Sequence, residues 1–198
     1  VSNEFIEKVV SLSNKYDFLI ILDEIQTGLG RTGDLFAYQK YDFQPDLVTL
    51  AKSLGGGLPL GALLVKENVE DVFSPGDHGS TFGGNPVACA AGESVVSKVL
   101  EKDFQNQIKS SSKKIRDGLN QLKKEYPEII SEIRGRGLLL GIETGEYASK
   151  IKEKGLEKNL LLNVTDQTVI RLLPPLNILD REINQFLDIF GDILNELR

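Results

Sequence analysis

The sequence has no methionine and no tryptophan, and it has only one cysteine and one histidine among 198 residues. A lone Cys89 excludes an internal disulfide and fits a reducing compartment, the cytoplasm being the expectation. One His78 and one Cys leave too few soft ligands for a zinc site, so no metal is expected. Lys and Arg number 23 against 29 Asp and Glu, for a net charge of −6. No basic cluster of the kind nucleic acid demands is present, and no nucleic-acid partner is expected. The longest strongly apolar run, Phe18–Leu22, is far too short to span a bilayer, and no membrane role is expected. The first residues have neither the basic start nor the apolar core of a secretory signal. A chain that lacks methionine even at position 1 and opens inside an amphipathic pattern reads as part of a longer protein.

What is present is an ordinary globular composition, 40% hydrophobic and 26% charged. Residues 4–15 place Phe5, Ile6, Val9, Val10 and Leu12 on one helical face. The run 18–22, ending at Asp23-Glu24, predicts a buried parallel strand. Residues 47–51 and 62–65 predict two more strands, separated by the loop Gly55-Gly56-Gly57-Leu58-Pro59. Asn85-Pro86 predicts a capped helix to about residue 100, and a second long helix runs from Asp103 to about Tyr126, stopped by Pro127. Strands follow within 129–143, then a helix over 146–158. A hairpin of 160–164 with 169–173 crosses Thr165-Asp166-Gln167. Asp180 starts a last helix with Ile183, Phe186, Leu187, Phe190 and Leu194 inward. The fold class is α/β, with an α+β tail and a break near residues 100–105.

Several motifs are less informative than they look. Gly28-Leu29-Gly30-Arg31-Thr32-Gly33 has dinucleotide-loop spacing, but five residues separate it from the strand and no clear helix follows. The strand ending in Asp23-Glu24 also resembles the magnesium-holding strand of P-loop ATPases, yet the dipeptide Gly-Lys occurs nowhere. His78 and Ser80 lack the setting of a hydrolase nucleophile. The pair that carries chemistry is Asp23 and Lys52, each at the end of a strand, which adjacent parallel strands would bring to one sheet edge. A lysine there can attack a carbonyl, and a carboxylate can hold a protonated heterocycle, the combination pyridoxal phosphate chemistry needs. Burial of both would serve that chemistry, and an ordinary ion pair would satisfy the same spacing.

The surrounding residues extend the pattern. Residues 22–28, Gly30-Arg31-Thr32-Gly33, Pro45-Asp46 and Leu50-Ala51-Lys52-Ser53-Leu54-Gly55-Gly56-Gly57-Leu58-Pro59-Leu60-Gly61-Ala62 closely resemble the class III, ornithine-type aminotransferases of fold-type I. The likeness continues through His78–Pro86, Arg134–Glu143 and Ile170–Leu176. Phe36–Gln39, Pro75–His78 and the Arg171 block are most similar to the acetylornithine branch.

This resemblance implies pyridoxal 5'-phosphate as cofactor. Residues 1–102 would be the C-terminal part of the cofactor-binding large domain, and residues 103–198 a C-terminal small domain. It implies Asp23 on the pyridinium nitrogen, Gln26 on the phenolic oxygen, and Lys52 as the covalent anchor and proton carrier. Thr81, with Ser80 beside it, would reach the cofactor phosphate of a homodimer partner, and Arg171 would clamp the substrate α-carboxylate. The implied reaction moves an amino group from N-acetylornithine, or a related ω-amine, to 2-oxoglutarate in arginine biosynthesis. The family's phosphate cup and ring-stacking aromatic have no counterpart here, so weak cofactor binding by these residues alone is the expectation. An inactive remnant or an interaction module is one alternative, and a piece of a P-loop ATPase carrying only the Asp-Glu strand is another.

Overall fold

The computed structural model describes residues 1–72 and 74–198. The chain divides into two compact units, Val1–Lys102 and Asp103–Arg198.

The first unit opens with α1 (Asn3–Tyr16), whose N-terminus is capped by the Ser2 hydroxyl accepting from the Phe5 N–H. Its sheet contains β1 (Ile21–Asp23), β2 (Leu47–Leu50) and β3 (Ala62–Val65) in the order β1-β2-β3. β1 runs parallel to β2, with Asp23 opposite Thr49, and β3 returns antiparallel. The core gathers Leu29, Val48, Leu50 and Leu54, with Leu35, Phe36, Tyr38, Leu60 and Val96 packed against them. α2 (Pro86–Leu100) is capped by the Asn85 side chain, which accepts from the Val87 and Ala88 N–H groups at 3.0 and 3.2 Å.

Two expectations change here. The run 18–22 was read as a buried strand, but the ordered strand is 21–23, it lies at the sheet edge, and Ile21 is 59% exposed. α1 has the expected amphipathic pattern but buries no residue, and Phe5 is exposed. An unbroken apolar run signals a strand meant to be covered on both faces; in this sheet, among the described residues, only the central β2 is covered in that way.

The second unit packs α3 (Lys102–Glu125), α4 (Ala148–Glu157) and α5 (Asp180–Leu197) with a sheet of β4 (Glu132–Arg136), β5 (Leu139–Glu143), β6 (Asn163–Thr165) and β7 (Val169–Leu172). Every pairing in the order β4-β5-β7-β6 is antiparallel. α3 buries Phe104, Ile108, Ser111, Ile115 and Leu119, the three-and-four spacing of one helical stripe. Ile142, Ile170, Ile183 and Phe190 are fully enclosed in the same unit. Phe186, read as inward, is only half-buried but stacks on Phe190 with ring centroids 5.6 Å apart. The β6–β7 hairpin turns at Asp166 and Gln167, both left-handed (φ 51° and 65°), a conformation suited to tight hairpins. The Leu179 N–H donates to Glu182 Oε2 at 2.9 Å, closing the start of α5.

Candidate active site

Asp23 and Lys52 stand at the C-terminal ends of neighbouring parallel strands, where open α/β sheets place their ligands. Asp23 Oδ1 accepts from the Ile25 N–H at 2.9 Å and, at 3.5 Å, from the Thr49 hydroxyl. This aspartate turn fixes the carboxyl group and leaves Oδ2 without a hydrogen-bond partner among the described residues. Lys52 lies just beyond β2 with φ +50°, a left-handed conformation at a residue that has a Cβ. Such backbone outliers cost on the order of 1–3 kcal/mol and concentrate at working sites. Its Nζ has no ion-pair or hydrogen-bond partner among the described residues. The ion pair that the spacing allowed is therefore not formed.

Both side chains are exposed, against the expectation of burial. The reason is the same as for β1: their strand ends are not covered by other described residues. Gln26 is exposed as well, in the turn spanning residues 24–28, where the Gly28 N–H donates to the Glu24 carbonyl at 2.9 Å. Ser80 and Thr81 are exposed in the segment before α2, and their hydroxyls have no partner among the described residues. The 28–33 glycines form a turn-rich loop that opens no α-helix, only a short 3-10 turn at Ala37–Lys40, which agrees with rejecting a dinucleotide fingerprint.

Glu24 was passed over in the sequence, yet its side chain is buried at 3% exposure. Its Oε2 accepts from the Thr27 hydroxyl at 2.5 Å and its Oε1 from the Tyr38 N–H at 2.9 Å. The available signal was the hydroxyl residue three positions on, which fits a local turn closed by a side-chain bond.

Arg171 belongs to the second unit. It sits on β7 opposite Gly141 on β5 and Asn163 on β6. Its Nε is buried with no hydrogen-bond partner, and among the described residues the guanidinium has no counter-charge. It lines a cavity of about 360 Å³ with Leu162, Ile178 and Phe186, and a shallower hollow of about 290 Å³ with Arg134, Gly141 and Asp166. Arg134 also pairs with Gly141, so both arginines occupy one face of the sheet with a bare glycine between them. They differ in their partners. Arg134 is held by Glu143 at 3.0 Å and Glu132 at 2.9 Å, and these bonds push its guanidinium still further up from its ordinary pKa. Arg171 has no such partner among the described residues.

A free carboxylate oxygen and an unpaired lysine Nζ at one sheet edge fit a group with a protonated ring nitrogen and a carbonyl, and the orphaned Arg171 Nε fits a carboxylate. The fold is that of the fold-type I pyridoxal-phosphate-dependent aminotransferases. Residues 1–194 match the family described as aminotransferase class-III, and the chain belongs to that family. It is 47% identical over 196 residues to an acetylornithine aminotransferase of Caldanaerobacter subterraneus, covering 98% of this chain and 49% of that protein. An acetylornithine aminotransferase of Aquifex aeolicus is 43% identical over 194 residues, with coverage of 98% and 49%. Among solved structures, N-acetylornithine aminotransferase from Stenotrophomonas maltophilia superposes with a TM-score of 0.88 at 35% identity, over 100% of this chain and 52% of that one. The ornithine aminotransferase of Toxoplasma gondii superposes at 0.91 and 33% identity, over 99% and 48%. The chain spans about half the length of the curated relatives it matches.

Proposed function

We propose that this chain supplies the lysine anchor, the ring-nitrogen partner and the carboxylate clamp of an aminotransferase that moves an amino group from N-acetylornithine, or a related ω-amine, to 2-oxoglutarate. The observation that carries the reading is the unpaired Lys52 Nζ at the end of β2 beside Asp23 at the end of β1. Residues 1–102 are read as part of the cofactor-binding domain and 103–198 as the small domain. Its biological setting would be arginine biosynthesis in the cytoplasm, in a homodimer where Thr81 and Ser80 serve the partner's site. Because the chain spans half its relatives' length, these residues are read as working with polypeptide that it does not itself contain.

Pyridoxal phosphate, when bound, supplies the electron sink that makes a substrate Cα–H acidic. The chain's own residues do the remaining work. Asp23, pinned through Oδ1, offers Oδ2 to a protonated ring nitrogen and keeps that nitrogen protonated. Gln26 offers its amide N–H to the phenolic oxygen. Lys52 Nζ would be the residue that holds the cofactor, and as an unpaired amine it would accept the proton lost from the substrate Cα. Arg171 holds the α-carboxylate through a two-pronged contact, and both the donor and 2-oxoglutarate carry that group.

The test is to load the full-length polypeptide that carries these residues with pyridoxal phosphate, reduce with borohydride and map the adduct by mass spectrometry. Labelling concentrated on Lys52, lost in Lys52→Ala and reduced in Asp23→Asn, is the expected result. Label spread evenly over exposed lysines such as Lys113 would overturn the reading.

A further inference from the structure

We infer that Glu24 is the positioning residue for the cofactor-facing turn, acting through Gln26; the inference rests on the role proposed for Gln26. Glu24 is held at four points. Its N–H donates to the Thr49 carbonyl at 3.0 Å, which extends the β1–β2 pairing by one residue. Its carbonyl accepts from the Gly28 N–H at 2.9 Å and closes the turn. Its Oε2 takes the Thr27 hydroxyl at 2.5 Å, and its Oε1 takes the Tyr38 N–H at 2.9 Å. The first two bonds are made by backbone and do not depend on the side chain. The last two belong to the side chain, and they tie residues 24–28 to the segment that stacks Phe36 on Tyr38.

The position of Gln26 follows from this. Gln26 is exposed and makes no bond of its own among the described residues, so nothing in its own side chain aims it. It lies between Glu24 and Thr27, the two ends of the 2.5 Å bond. Its backbone is therefore set by Glu24. A buried carboxylate with both oxygens engaged is a rigid anchor, because releasing either partner leaves a part-buried donor unpaired. Gly28 completes the arrangement: a Cβ there would lie 2.9 Å from the Glu24 carbonyl oxygen.

Two measurements test this. In the absence of cofactor, hydrogen exchange at the Tyr38 amide should quicken at least tenfold in Glu24→Ala and stay near wild type in Glu24→Gln, whose Oε1 still accepts that N–H. An unchanged rate in Glu24→Ala would refute the anchor. In the protein loaded with pyridoxal phosphate, the pH midpoint of the visible absorbance change should move by about 0.5–1 unit in Gln26→Ala, the size expected for one neutral hydrogen bond. Glu24→Ala should move it in the same direction, the double variant should move no further than Gln26→Ala, and Glu24→Gln should restore the wild-type midpoint. Thr27→Val removes a single hydroxyl donor, should give a smaller shift of the same sign, and stands in if Glu24→Ala does not fold. A shift in Gln26→Ala with wild-type midpoints in Glu24→Ala and Thr27→Val overturns the role of Glu24 alone. A silent Gln26→Ala overturns the assignment of Gln26, and this inference with it.

Discussion

Replacing Arg171 by methionine should make the second unit more stable while removing its capacity to bind carboxylates. Arg171 Nε is buried and unpaired, and the guanidinium has no counter-charge among the described residues. A buried donor without a partner costs about 1–3 kcal/mol. Arg134, on the same face one glycine away, adds like-charge repulsion. Methionine retains an unbranched apolar stem against Leu162 and Phe186. Part of the gain is offset by the altered packing, leaving an expected net stabilisation of about 1–2 kcal/mol. That corresponds to roughly a 5–30-fold slowing of exchange at amides that open only on global unfolding. Ile142 and Ile170, both fully enclosed on β5 and β7, are the reporters. 2-Oxoglutarate should slow the same amides in the wild-type chain, by mass action, and leave Arg171→Met unaffected. Faster exchange in Arg171→Met would mean that the guanidinium is already satisfied, and the reasoning from its orphaned nitrogen would fail.

Two further perturbations probe the second unit. Gly135 has φ +116°, and a Cβ there would lie 2.2 Å from the Leu139 carbonyl oxygen, whereas Gly145, at φ +54°, has open space. Gly145→Ala should cost about 1 kcal/mol of conformational strain, and Gly135→Ala several times more by urea denaturation; equal costs would refute the clash. Glu196 accepts from Lys154 and Lys158, which pull its carboxyl down to about 2. Its folded pKa is depressed, so its contribution is complete above the ordinary carboxylate value near 4.5 and is lost as pH falls toward about 2. The stability gap between wild type and Glu196→Gln should therefore close over that interval in acid denaturation, and a gap that stays constant with pH would contradict the ion triad.

Local patterns carried much of the fold. The proline-led start of α2, the hairpin at Asp166-Gln167 and the inward stripe of α5 all depend on interactions within a few residues, and all were readable. The pairing of β1 with β2, which brings Asp23 and Lys52 to one edge, was readable from strand-end chemistry. Burial was less so. Residues 18–22 look like a core strand because hydropathy records what a segment is suited to meet, and Ile21 remains 59% exposed. Glu24 shows the opposite error. A charged residue reads as surface, and only the three-dimensional return of Tyr38 to its Oε1 reveals an interior anchor. The unpaired state of Arg171 was equally invisible, since it depends on Glu132 and Glu143 both going to Arg134.

The left-handed backbone at Lys52 has a mechanical consequence. The root of this side chain is set by main-chain torsion, while its tip makes no contact that would hold it. A lysine packed along its stem would be delivered to one point and kept there. With a stiff base and a free four-carbon arm, the amine can swing between two nearby atoms without the sheet moving, as the two roles proposed for it require.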